Sequence, residues 1–274
     1  MLDYLTQPIP EEAIPTIFDE TPLWGARFGQ LILDYLELQP NLTAIDLGCA
    51  TGFPLLELAH VHGPSCQFVG IDIWGAALRR AVHKQQVYGL QQVLLVQADG
   101  IAIPLANQSV DLIVSSLGIN NFADPQAVLH ECGRVTKVGG RLVLTTNLTG
   151  HMREFYAVYR EVLRDFDPAY QEGLTHNEQH RGTQASVVAL IEGAGYNVSR
   201  IVREEFVLRY LDGSALLRHS LTRLGFLDGW RRFLHPEDEQ PVFARLEAAL
   251  NQVAAQAGEL RLTIPALYIE AIRQ

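Results

Sequence analysis

The sequence predicts a doubly wound α/β fold: a mostly parallel sheet of seven strands, helices on both faces, and an antiparallel last strand. Three observations predict it. From residue 42 onward short apolar runs alternate with longer helical stretches, the signature of consecutive βαβ units. The first of these runs ends in a small-residue turn, Gly48-Cys49-Ala50-Thr51-Gly52, that leads into a helix. The last third carries two strand-like runs, Val198 to Leu211 and Leu260 to Ile272, which pair as an antiparallel edge.

Residues 1–21 are rich in Pro and acids, including Pro8, Pro10, Glu11, Glu12, Pro15 and Asp19. Leu23, Trp24, Phe28, Leu31, Ile32, Tyr35 and Leu36 then recur at helical spacing, so residues 1–41 read as an N-terminal helical extension. Strands are expected near 42–47, 66–72, 92–97, 110–115 and 141–146, with helices near 53–61, 75–88, 125–136 and 151–165. The stretch 167–182 is polar, carries little periodicity and reads as a loop. Ala185 to Glu192 reads as a helix stopped by Gly193 and Gly195. Residues 213–258 read as two amphipathic helices, one carrying Phe243, Leu246, Leu250 and Val253. The expected organisation is a main domain of residues 42–212 and 259–274, with 213–258 inserted before the last strand. Extension, loop and insertion together are expected to form a substrate lid.

Composition narrows the partners. The 274 residues are 48% hydrophobic and 19% charged, an ordinary globular balance that excludes a disordered or collagen-like chain. Lys and Arg total 21 against 31 Asp and Glu, a formal net charge of −10 whose average field repels phosphate backbones and disfavours a nucleic-acid partner. Cys49, Cys66 and Cys132 are odd in number and lack C-x-x-C spacing, which argues against a disulfide framework or a thiolate metal site and for a reducing compartment. Met1-Leu2-Asp3-Tyr4 has no basic n-region, and no apolar run approaches the ~18 residues of a membrane span. The expectation is a cytoplasmic protein without bound metal; a homodimer is left open.

The chemistry lies at strand ends. Ala44-Ile45-Asp46-Leu47-Gly48-Cys49-Ala50-Thr51-Gly52 is a strand running into a turn whose small residues remove bulk, while main-chain N–H groups open toward the next helix. A tight βα turn alone would look the same. The dinucleotide pattern G-x-G-x-x-G is not met. Asp72 ends the second strand, where a carboxylate can accept from both hydroxyls of a ribose, or simply cap the helix that follows. Asp99 ends the third, where it can accept from an exocyclic amine of adenine, or make an Asp-Gly turn with Gly100. Acids at three successive strand ends on the carboxyl side of one sheet are the pattern of a nucleoside crevice.

On these residues the sequence resembles the class I S-adenosylmethionine-dependent methyltransferases, particularly those acting on small molecules. Asp46-Leu47-Gly48-Cys49-Ala50-Thr51-Gly52 is similar to their first motif, Ile71-Asp72 to the ribose acid and Ala98-Asp99-Gly100 to the adenine-edge motif. Ile103-Pro104-Leu105 with Ser109 to Ser115 resembles the fourth-strand segment, and Arg134 to Leu142 the turn before the fifth. Two departures stand out: Ala50 replaces the middle glycine, and Val138 the usual proline. The resemblance implies a Rossmann-like fold and S-adenosyl-L-methionine as cofactor. It places Asp46 and Gly48, Cys49, Ala50, Thr51 and Gly52 around the amino-acid portion. Asp72 and Ile73 fall at the ribose, Ala98, Asp99 and Gly100 at the adenine, and Ser115 to Gly118, hence Ser115 and Leu117, beside the methionine.

A sulfonium methyl is already activated, so transfer needs an acceptor aligned in line with the S–CH₃ bond and shielded from water; a base is required only for a protonated acceptor. Asn120 and Asn121, after the fourth strand, are candidate substrate contacts or turn formers. His176, Glu178 and His180 are candidate bases or a solvated loop, and His151, Tyr156 and Tyr159 open the next helix. No catalytic residue is singled out beyond the weak candidates His176, His180, Asn120 and Tyr156. The expected activity is methyl transfer to O, N or C of a small molecule, a quinone-like compound or secondary metabolite. The competing readings are a non-catalytic cofactor-binding regulator or complex subunit and, further off, a nicotinamide-dependent oxidoreductase.

Overall fold

A computed structural model describes residues 2–19, 21, 23–179 and 181–274. Seven strands, β1 (Thr43–Leu47), β2 (Gln67–Asp72), β3 (Val93–Gln97), β4 (Val110–Ser116), β5 (Thr136–Asn147), β6 (Tyr196–Tyr210) and β7 (Leu260–Arg273), form one sheet in the order β3-β2-β1-β4-β5-β7-β6. Strands β1 to β5 run parallel and β7 pairs antiparallel with β5, from Arg141 opposite Ile272 to Asn147 opposite Ala266. This is the doubly wound architecture expected. The chain order reverses beside β1, between β2 and β4, so the carboxyl end of β1 lies at the topological switch point where such sheets bind ligands.

The chain forms two compact units. One comprises Phe18–Asn147, Thr183–Glu204 and Ala266–Gln274. In it, helices α3 (Gly25–Tyr35), α4 (Leu55–His62), α5 (Gly75–Tyr88), α6 (Pro125–Val135) and α9 (Gln184–Gly193) accompany the parallel strands. Phe28, Ile32, Ile45, Leu55 and Phe68 are fully buried in its core. Helix α3 packs on β4 and β5 and meets the start of α4 through Gly29, where a Cβ would come 2.1 Å from the Phe53 ring. Strand β5 begins earlier than expected, at Thr136. Thr136 pairs with Val110 and Arg141 with Leu112, so the intervening Gly-Gly stretch is absorbed as a bulge within the strand.

The other unit comprises Met1–Ile17, Leu148–Gly182 and Glu205–Pro265. It holds α1 (Asp3–Thr6) and all but the last residue of α2 (Ile14–Phe18), then α7 (Arg153–Val162), α8 (Ala169–Gln179), α10 (Gly213–Arg218), α11 (Ser220–Gly225), α12 (Leu227–Arg231) and α13 (Pro236–Ala257). The expected loop at 167–182 is therefore largely a helix. Tyr170 and Leu174, one turn apart, are buried, and the Tyr170 hydroxyl donates to Asp238 Oδ2 at 2.6 Å. Gly173 lies so close to Phe233 that a Cβ would stand 2.6 Å from its Cβ. These partners lie more than fifty residues away in sequence, and local periodicity does not register them. The expected pair of helices in 213–258 resolves into four, three of them only five or six residues long, too short to show a period. Phe155 stacks on Trp230 at 4.0 Å and Tyr159 donates to the Trp230 carbonyl at 2.8 Å, so α7 and α12 share one aromatic core.

Gly70, at the centre of β2, is hemmed in: a Cβ there would meet Leu55 Cδ2 at 2.4 Å, Leu95 Cδ2 at 2.7 Å and Cys49 Sγ at 2.9 Å. Overpacking of this kind costs about 1–3 kcal/mol. Gly70→Ala is expected to lower the midpoint of urea unfolding accordingly; an unchanged midpoint would show that β2 and α4 are packed more loosely than described.

Candidate functional site

The β1–α4 turn is built from conformations that L-residues avoid. Gly48 and Gly52 have φ of +78° and +100°, and Ala50 between them has φ of +44°. A glycine would be relaxed there; the alanine is held in the left-handed region against a cost of about 1–2 kcal/mol. What holds it is Asp72, whose Oδ2 accepts from the Ala50 N–H at 2.8 Å while Oδ1 accepts from the Trp74 N–H, also at 2.8 Å. The Gly48 N–H donates to the Ile71 carbonyl at 2.8 Å. The end of β2 thus carries the turn that follows β1. Asp72 does not cap a helical N–H of α5: its Oδ1 takes the N–H of Trp74, the residue before the helix, and with about four lone-pair sites its carboxylate retains acceptor capacity.

Asp46 faces Gly70 across the β1–β2 pair and is fully buried. Neither carboxyl oxygen has a hydrogen-bond partner among the described residues. Burial pushes this carboxyl up to about 7; the nearby Leu55 N–H offsets part of the rise without meeting hydrogen-bond geometry, and the Asp72 charge adds to it. The Cys49 thiol, buried beneath the same turn, is driven well above the usual thiol range by burial and then by the Asp46 and Asp72 charges. It is therefore held as the unreactive protonated form. An uncompensated buried carboxylate at the mouth of a turn is a site that a ligand cation would complete.

Asp99 follows β3 and is exposed, its Oδ1 accepting from the Ile101 N–H at 3.1 Å. The Asp72 carbonyl accepts from the Ala98 N–H at 3.1 Å, tying the β2 and β3 ends together. Gly100 is buried, with Val128 of α6 at 3.2 Å from where its Cβ would be. Ile73 is an apolar side chain 67% exposed beside Asp72. Since Asp72 pairs with Gln97 and Leu47 with Ile71, Asp46, Asp72 and Asp99 belong to the carboxyl ends of three adjacent strands. Ser115 Oγ donates to the Leu47 carbonyl at 2.6 Å and Leu117 has φ of +63°. A Cβ on Gly118 would stand 2.2 Å from Ser115 Oγ and 3.2 Å from Leu47 O, and one on Gly48 would be 3.7 Å from the Gly118 Cα. The turns after β1 and β4 therefore meet backbone to backbone through glycines.

The catalytic candidates are divided between the two units. Asn120 Nδ2 donates to Asn147 Oδ1 at 2.8 Å and its Oδ1 accepts from Thr146 Oγ1 at 2.9 Å. The sequence reading missed this pair; its signal was the polar Thr145-Thr146-Asn147 ending an otherwise apolar strand. Asn121 bonds the Leu117 carbonyl at 3.1 Å, a turn contact. In the other unit His176 is exposed on α8, Glu178 is taken by Arg160 at 2.7 Å, and Tyr156 is buried. His180 lies outside the described residues. Burial pushes the Tyr156 phenol up to about 12, so it is a neutral hydroxyl near neutral pH.

Also unanticipated is the segment before α3. Phe18 meets Trp74 edge to face at 5.6 Å, and Asp19 bonds Lys84 at 2.5 Å and Arg80 at 2.9 Å. Although burial opposes it, Lys84, Arg80 and the Thr51 hydroxyl hold the Asp19 carboxyl below its ordinary range. The N-terminal segment is thus tied to residues of the turn and of α5.

A family model described as a methyltransferase domain matches residues 38–192, more than half the chain. The chain belongs to the class I S-adenosylmethionine-dependent methyltransferases. It is 32% identical over 162 residues to a demethylmenaquinone methyltransferase of Corynebacterium urealyticum, covering 59% of this chain and 64% of that one. It is 32% identical over 138 residues to a malonyl-[acyl-carrier protein] O-methyltransferase of Coxiella burnetii, covering 50% and 45%. The chain thus spans less than two thirds of the curated relatives it matches first. The fold is shared with the YcgJ protein of Bacillus subtilis at a TM-score of 0.59 and 16% identity, over 91% of this chain and 99% of that one. No helix among the described residues is long and apolar enough to cross a membrane.

The Asp46 carboxyl gives a sign-specific expectation. Its folded pKa near 7 lies above the ordinary 3.8, so the folded state holds a proton that the unfolded chain releases, and stability falls as pH rises through that window. Asp46→Asn is expected to be more stable than the parent near pH 8, by on the order of 4 kcal/mol, and to lose that advantage near pH 4. Thermal unfolding at the two pH values reads it; a pH-independent difference would mean that Asp46 is compensated in the folded protein.

Proposed function

We propose that this methyltransferase-family chain binds S-adenosyl-L-methionine at the carboxyl ends of β1, β2 and β3 and transfers its methyl group to a small, quinone-like acceptor. The observation that carries the reading is the uncompensated, fully buried Asp46 carboxyl beneath a turn of positive-φ residues whose backbone is held open by Asp72. The amino-acid portion of the cofactor offers an ammonium to complete Asp46. The spare lone pairs of Asp72 suit the ribose hydroxyls, exposed Ile73 offers an apolar face to a flat base, and Asp99 with Ala98 and Gly100 lies at the adenine edge. When bound, the cofactor supplies an electrophilic methyl on a sulfonium. The work left to the protein is alignment of the acceptor and exclusion of water. Small-molecule transfer is favoured over nucleic acid by the net charge of −10, and a quinone-like acceptor by the similarity to a demethylmenaquinone methyltransferase.

Two measurements test this. Asp72→Ala is expected to weaken cofactor binding in calorimetry by about 1.5–3 kcal/mol, the worth of hydrogen bonds to a charged group. Unchanged affinity would remove Asp72 from the ribose. Incubation with methyl-labelled S-adenosylmethionine and a reduced demethylated naphthoquinone is expected to place label in the quinol. Saturable cofactor binding without transfer would instead favour the non-catalytic reading.

A further inference from the structure

The loop joining β3 to β4, residues 98–109, carries Asp99 yet contains neither helix nor strand, so its backbone polar groups need partners from elsewhere. Helix α6 supplies them through one ion pair. Glu131 and Arg134 stand three residues apart on that helix and meet side by side: Arg134 Nε donates to Glu131 Oε2 at 2.8 Å and Nη2 to Oε1 at 2.6 Å. The remaining donors face the loop. Nη2 also donates to the Ile103 carbonyl at 2.9 Å, and Nη1 to the Leu105 carbonyl at 2.9 Å and to Asn107 Oδ1 at 2.7 Å. Five donors thus meet five acceptors, the full capacity of an arginine and more than a lysine could offer. Glu131 Oε1 accepts in turn from the Ile103 N–H at 2.8 Å.

This clamp reaches Asp99 through adjacent amides. The Ile101 N–H donates to Asp99 Oδ1 at 3.1 Å, the Ala102 N–H to the Asp99 carbonyl at 3.0 Å, and the Ile103 N–H, next along the chain, to Glu131. On the other side of Asp99 the Ala98 N–H is tied to the Asp72 carbonyl, and Gly100 lies against Val128, one turn before Glu131 on α6. Asp99 itself is exposed, and among the described residues its carboxylate bonds nothing but its own loop. Its direction is therefore set by the path of residues 100–103, and that path by α6. Arg134 and then the Ile103 N–H hold the Glu131 carboxyl below its ordinary range although burial opposes them, so the pair stays ionised near neutral pH.

We propose that Glu131 and Arg134 are positioning residues for the base of the bound nucleoside: the pair fixes the loop after β3 so that the Asp99 oxygen left over by Ile101 accepts from an exocyclic amine, and it sets selectivity for adenine without touching the ligand. This rests on the cofactor site proposed above. A loop without ladder bonds would otherwise sample many carboxylate directions, and a hydrogen bond discriminates between bases only when its acceptor is already aimed. A pair that merely closed the loop would behave differently. Loosening it would weaken every ligand of the site alike, whereas loosening a positioning pair removes the preference for one base over another.

The test is calorimetry on the full chain with two ligands, S-adenosylhomocysteine and its analogue with unsubstituted purine in place of adenine, which lacks the 6-amino group. The parent is expected to bind the adenine ligand about tenfold or more tightly, as a hydrogen bond to a charged group gives. Arg134→Lys, which keeps the charge and loses the fork, is expected to cut that preference to about threefold or less, while affinity for the purine analogue changes by less than about threefold. Glu131→Gln, the milder change, is expected to lower the preference part-way, and it carries the test if the lysine variant fails to fold. Asp99→Ala is expected to abolish the preference, and Arg134→Lys added to it to change the preference no further. A preference that survives in the clamp variants, or an equal loss of both ligands, would overturn the proposal and leave the cofactor site standing. Equal binding of the two ligands by the parent would remove the base contact and the proposal with it, again with the cofactor site intact. A parent that binds neither ligand would end the methyltransferase reading and this inference together.

Discussion

The site depends on one carboxylate accepting two backbone N–H groups. Asp72 reaches Ala50 across the β1–β2 edge and Trp74 at the start of its own helix, both at 2.8 Å. Without it, three residues in or near the left-handed region would be free to relax toward ordinary conformations, and the turn would lose its hold on the end of β2. Charge-assisted hydrogen bonds to backbone are among the stronger polar contacts available, which is what a turn with a non-glycine at φ of +44° requires. The parallel register supplies the rest. Because β1 and β2 pair from Thr43 with Gln67 to Leu47 with Ile71, Asp72 extends one residue past the paired segment, beside the turn it holds.

That arrangement leaves Asp46 as the uncompensated element. In a protein optimised for stability alone, a fully buried carboxyl with neither oxygen bonded would be expected to carry a partner or be replaced. Its persistence next to the turn that Gly48 opens is what the proposed cofactor site would account for. An unsatisfied buried group of this kind costs local stability, a trade that functional sites make repeatedly.

Much of this was legible in the chain. The strands of the parallel half fall within a residue or two of the apolar runs, except β5, whose start is moved by a bulge that pairs Thr136 with Val110. The motif acids lie at three successive strand ends. What escaped was long-range. Helix α8 exists because Tyr170 and Gly173 find Asp238 and Phe233 sixty or more residues away, so a polar, aperiodic stretch became ordered. Asn120, read as a turn former or substrate contact, is held by Thr146 and Asn147 from a neighbouring strand. The strain at Ala50 was equally hidden, since one methyl group in a motif says nothing of φ.

The sequence by itself determined the layered α/β class, the order of the parallel strands' building blocks, and the identity of Asp46, Asp72 and Asp99 as strand-end acids, because hydrophobic period and turn chemistry are local properties. Tertiary structure decided which polar groups are satisfied. Whether a carboxyl finds an N–H depends on what distant segments bring within about 3 Å. That is why the pairing of Asp72 and the isolation of Asp46 appear only once the chain is folded.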